Sequence, residues 1–97
     1  APLASDSVNN GRFNPPSDFY SASGVTDSTQ YIGLPNQTPV LVDTGDGTSW
    51  VTIDSFGTGA LNTITFTVSA NAGASRSLGI RILDGINNPI YTIVQSS

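Results

Sequence analysis

Cysteine, histidine, methionine, lysine and glutamate are all absent from the 97 residues. Each absence excludes a chemistry. Without His or Cys there is no Ser-His-Asp or Cys-His triad, no thiol chemistry and no His/Cys zinc site. Without Lys there is no P-loop lysine and no Schiff base. No disulfide can staple the fold. Charge is scarce as well: charged residues make up 10% of the chain, against roughly 25% in an ordinary soluble domain. The three bases are all Arg, the seven acids are all Asp, and the net charge is −4. A nucleic-acid surface needs a basic stripe, so no nucleic-acid partner is expected. No run approaches the roughly 18 apolar residues of a membrane span, and the N-terminus shows no basic, apolar leader. A membrane partner is therefore not expected either.

What is present is small and polar. Ser (13), Thr (11), Asn (8) and Gly (10) make up 42 of the 97 residues. The length allows one domain at most, with a tail. A surface solvated by Ser, Thr and Asn in place of Lys and Glu suits secreted modules, adhesins and virion shells. It suits a non-catalytic, strand-rich domain outside a cell or on a particle.

Composition changes near residue 30. Residues 1–30 carry Pro2, Pro15 and Pro16 among many Ser and Asn, with no sustained period of 2 or 3.6. They read as an extended N-terminal arm. From there on, β-branched residues dominate the apolar set and helix formers are nearly missing. Ile64, Phe66 and Val68 alternate with Thr65 and Thr67, which is the period of a half-buried strand. Leu78, Ile80 and Ile82 alternate with Gly79 and Arg81, and Tyr91, Ile93 and Gln95 with Thr92 and Val94. Shorter strand candidates are 40–42 and 50–53, with 30–34 as the first strand of the domain. Turn signals separate them: Gly45-Asp46-Gly47, Gly57-Thr58-Gly59, Asn71 to Ser75, Asp84-Gly85 and Asn87-Asn88-Pro89. Short strands at intervals of roughly 8–12 residues predict an all-β sandwich over 31–97. The expected core is Trp50, Val51 or Ile53, Ile64, Phe66, Val68, Leu78, Ile80, Ile82, Tyr91 and Ile93.

The stretch from Ser49 to Gln95 resembles the BACON domain, an immunoglobulin-like sandwich family. The resemblance rests on Trp50-Val51, the Gly57–Gly59 loop, Ile64 to Val68 with Asn71, Arg76 to Ile82, and Tyr91 to Gln95. It covers about half of the chain and keeps the order of the elements. Ile90 and Val94 depart from it, being apolar on a face that is often polar in the family. The resemblance implies an immunoglobulin-like β-sandwich, with carbohydrate or mucin binding as an associated activity and no particular binding residue. Immunoglobulin-like modules also serve as decoration and adhesion domains on tailed phages, and fold alone does not choose between the uses.

Candidate site residues follow from their types. Trp50 offers a sugar-stacking platform or a core residue, and the apolar alternation behind it favours core. Asp43 and Asp46 sit in a Gly-rich segment. Ca²⁺ wants six to eight oxygens, whereas Asp-Gly is a strong turn dipeptide. The turn is favoured, and with Asp54 nearby calcium stays open. Two Asp at glycosidase spacing can arise by chance in so small a domain, and no cleft-building segment is present, so no catalytic residue is assigned. Arg76 and Arg81 offer bidentate grips for a partner carboxylate, or local ion pairs with Asp, which are commoner.

The arm carries Phe13, Phe19 and Tyr20 around Pro15-Pro16. Aromatics are favoured at the cores of interfaces, and thirty extended residues reach up to about 100 Å. Phe13, Pro15, Pro16, Phe19 and Tyr20 are the expected assembly contacts. The leading expectation is an auxiliary or decoration protein of a tailed-phage capsid, at the virion surface or outside the cell. It needs no cofactor and docks on capsid or other assembly subunits through the arm. The alternatives are a carbohydrate-binding module, with Trp50, Tyr31 or Tyr91 exposed to glycans, and a filament subunit that exchanges its arm.

Overall fold

The computed structural model describes residues 11–85 and 88–97. Eight strands run in order: β1 (Arg12–Asn14), β2 (Ser17–Tyr20), β3 (Val25–Ile32), β4 (Val40–Asp43), β5 (Val51–Ser55), β6 (Leu61–Val68), β7 (Arg76–Arg81) and β8 (Ile90–Gln95). They form two four-stranded sheets, β1-β3-β6-β5 and β2-β8-β7-β4. All neighbours are antiparallel except β2 and β8, which are parallel. In the lettering of immunoglobulin domains this is A-B-E-D against A′-G-F-C, with the first strand split between the sheets. The all-β sandwich expected from the alternation is what the chain forms.

The alternation decides which residues face inward. Ile64, Phe66 and Val68 from β6 meet Leu78 and Ile80 from β7 and Tyr91 and Ile93 from β8, and all are buried. Trp50, Val51 and Ile82 join them, while Ile53 is half-buried. Asn62 and Gln95 are buried too. Each has its polar groups occupied: Asn62 accepts from Gly57 N and donates to Gln37 O, and Gln95 donates to Ser21 O and Ser69 O. A buried amide without partners would cost free energy.

The boundary expected at residue 30 is corrected. Residues 12–14, 17–20 and 25–32 are strands of the sandwich, so the described part of the arm is integral to the domain. Residues 1–10 lie outside the described residues. The strand expected at 30–34 is the end of β3, which is the third strand, not the first. The physical reason lies at Pro15-Pro16. Proline cannot donate to a ladder, so the pair interrupts strand pairing and the chain crosses from one sheet to the other. The Asn14–Pro15 peptide is cis. The two carbonyls are then used by the fold: Thr29 Oγ1 donates to Pro15 O at 3.0 Å and Thr92 N to Pro16 O at 3.1 Å.

A candidate contact surface

The five residues expected to contact a partner are dispersed. Phe13 is corrected outright: it is 2% exposed, paired with Tyr31 in the ladder, its ring 5.9 Å from those of Tyr31 and Tyr91. It is an anchor into its own domain. Tyr20 is half-buried, edge-on to Phe66, and its hydroxyl donates to Asp27 and bonds the Tyr91 hydroxyl. Burial raises the pKa of its phenol above the ordinary value, and Asp27 adds to the rise while the bond to Tyr91 opposes it. Tyr91 is raised by burial first, then by its bonds to Tyr20 and Asp18. Pro15 and Pro16 are exposed at the crossing, and Phe19 is 81% exposed.

The other candidates are equally occupied. Trp50 is buried, with its Nε1 donating to Gly47 O at 3.0 Å. Tyr31 and Tyr91 are buried as well, so none of the three aromatics expected to stack on sugar is at the surface. Asp43 takes the amides of Gly45 and Gly47 at 2.7 and 2.9 Å, and these bonds hold its carboxyl below its ordinary pKa. Asp46 takes the amide of Ser77 at 3.0 Å. This is the turn reading: both carboxylates serve backbone amides. Among the described residues no three acidic side chains gather as a metal site, and no concave pocket forms. Arg76 forms no ion pair with an Asp among the described residues. Its guanidinium lies 4.5 Å from the centre of the Trp50 ring, Nε donates to Gln95, and one terminal nitrogen donates to the carbonyls of Ser69 and Ala70.

The register shows what sequence reasoning did not assemble: the two outer faces differ in kind. On the β1-β3-β6-β5 sheet the outward rows are hydroxyl and amide. Thr26 lies opposite Thr67, Ser28 opposite Thr65 and Gln30 opposite Thr63. Apolar side chains appear there only at the rim, where Ile32 lies opposite Leu61. On the β2-β8-β7-β4 sheet the outward rows mix apolar residues with Ser17, Ser77 and Thr92 and hold one charge, Arg81. Phe19 lies beside Val94, Val42 beside Gly79, and Ile90 and Val40 flank Arg81. A Cβ on Gly79 would come within 2.7 Å of Ile90 Cγ2, so the Ile90 side chain lies over that gap. Phe19, Val40 and Ile90 are exposed, and Leu83, just beyond β7, is 64% exposed.

No family model and no curated protein matches the chain. One solved structure does. It is that of a Bacteroides ovatus GH5 xyloglucanase in complex with a XXXG heptasaccharide; the match has a TM-score of 0.67 at 20% identity and covers 84% of this chain and 17% of that one. At that identity the likeness is one of fold. The chain corresponds to a small part of the larger protein.

Antiparallel sheets commonly keep one face solvated and polar. The first sheet here obeys that rule; the second departs from it in part, with Ser17, Ser77 and Thr92 among its apolar outward residues. Exposed apolar patches are common features of contact surfaces. Arg81 stands at one end of this surface, between Val40 and Ile90, as the one charged residue of its outward strand positions, and its Nε is buried with no hydrogen-bond partner.

Proposed function

We propose that this chain is a non-catalytic structural module, an auxiliary or decoration protein on a larger particle, with a tailed-phage capsid as the assembly. The observation that supports the reading is the uncovered, nearly uncharged outer face of the β2-β8-β7-β4 sheet. Attachment on this reading differs from docking by a free arm, because residues 12–32 build the module. It buries a preformed sheet face, and occupancy of the particle follows mass action.

A carbohydrate- or mucin-binding module is the second reading. The fold match to a portion of a Bacteroides ovatus xyloglucanase favours it, as does the BACON resemblance. The burial of Trp50, Tyr31 and Tyr91 weighs against it, because sugar stacking needs an exposed ring. Exchange of strand β1 or β2 between copies would empty a site that this chain already fills for itself.

The deciding experiment purifies particles from the source on a density gradient and quantifies the chain in each fraction by mass spectrometry. The proposal expects the chain in the particle peak at a fixed ratio to the major shell protein. Absence from that peak, with retention on a xyloglucan or mucin column, would reject it in favour of the glycan reading.

A further inference from the structure

We infer that the outer face of the β2-β8-β7-β4 sheet docks onto an apolar protein surface that carries a carboxylate opposite Arg81. The inference rests on reading the chain as an attached module, and it names the chemistry of what the module attaches to.

Val40 and Ile90 flank Arg81, with Val42 and Gly79 one step along, while Phe19 and Val94 lie at the far end of the same face past Thr92 and Ser77; the strand positions facing outward with them include no acid. The Arg81 Nε is already out of solvent and makes no hydrogen bond. The Asp residues of the same sheet are spent elsewhere: Asp18 accepts from Tyr91, and Asp43 from the amides of its own turn. Covering this face would strip water from the rest of the guanidinium. A desolvated Arg without a counter-charge is costly, while a planar carboxylate can accept from it bidentately.

A second copy of this chain fits poorly. It would bring another Arg81 and no carboxylate on the same face, so two cations would be buried and none neutralised. A different surface, apolar with one Asp or Glu, satisfies both the apolar rows and the charge. Arg suits this role better than Lys because its weakly hydrated fork tolerates interfaces.

The test uses the full chain with the photo-crosslinker benzoylphenylalanine in place of Phe19, added to an extract of its source and irradiated. One adduct is expected. Its yield should fall about tenfold or more with Arg81→Glu and fall likewise with Val94→Lys. It should hold with Thr65→Lys, which places a charge on the opposite sheet. The adduct maps the partner's carboxylate, and changing that residue to Arg should restore crosslinking to the Arg81→Glu chain. Arg81→Gln serves if the Glu variant does not keep the wild-type thermal transition. Unchanged yield without the Arg81 charge, or no adduct at all, overturns the inference. So does a chain that sediments as a dimer and becomes monomeric with Val94→Lys, since the occupant is then a second copy. An Arg81-dependent adduct with a protein foreign to any particle keeps this inference and removes the capsid proposal.

Discussion

Phe13 shows how much one side chain contributes to a core this small. It comes from a three-residue strand, yet it is buried between Tyr31 and Tyr91. Aromatic pairs of this kind contribute about 0.5–1.5 kcal/mol beyond the area they bury. Replacing Phe13 by Ala should lower unfolding free energy by about 3–5 kcal/mol, read from urea denaturation. A loss below 1 kcal/mol would mean that the ring is not part of the core. Tyr31 gives a second test, through pH. Burial, and then the bond to the Asp84 carboxylate, push its phenol from 10.0 up to about 12. The folded-state value is the higher one, so the contribution is complete below pH 10 and is lost as pH rises toward 12. Stability should be level through neutral pH and fall above about pH 10. Tyr31→Phe should fall less steeply, and identical alkaline profiles would contradict the assignment.

The elements differ in how plainly the sequence announced them. Strands β6 and β8 alternate strictly and their burial follows residue by residue, while in β7 Leu78 and Ile80 are buried as their period predicts and Gly79 between them is buried too. Strand β3 does not. Its first four residues, Val25 to Ser28, are exposed, because the first sheet has a polar outer face and its inner face is thin at that end. Its inward residues near that end are Asp27 and Val25, so no apolar period is visible. Strands β1 and β2 are three and four residues long and flank two prolines, which read as an extended arm when no partner strand is in view. The proposed contact surface was legible only in fragments. Ile90 and Val94 stood out as misplaced apolar residues, but their alignment with Phe19, Val42 and Val40 depends on pairings between residues up to 75 positions apart. A turn supplies the test at this scale. Gly24 links β2 to β3 at φ +82°, and a Cβ there would come within 2.6 Å of the Val68 carbonyl. Gly24→Ala should therefore destabilise the fold by at least about 1–3 kcal/mol. A variant with wild-type thermal stability would exclude that backbone conformation.

At the scale of the molecule, the N-terminal third is the seam between the sheets. Strand β1 closes one sheet and β2 closes the other, and their side chains reach the shared core. Removing residues 1–10 should leave the cooperative unfolding transition in place. Removing residues 1–25 deletes both edge strands along with Phe13 and Tyr20, and should abolish it. The comparison needs only circular dichroism during heating. If the longer deletion still melts cooperatively near the wild-type temperature, β1 and β2 are dispensable. A binding assay that relied on the longer deletion alone would confuse loss of attachment with loss of the fold.

The parallel pairing of β2 with β8 has a mechanical consequence. The described chain enters at the end of the sandwich where β1 begins and leaves at the opposite end, past β8. Tension applied to its two ends pulls β2 and β8 in opposite directions along their length. Every hydrogen bond between them is then loaded at once, in shear, whereas antiparallel ends would open one bond at a time like a zipper. A module held at both ends would resist pulling along this axis far better than heating alone would suggest. Single-molecule stretching should show an abrupt high-force rupture, and Thr92→Pro, which deletes the amide that bonds Pro16 O, should lower it.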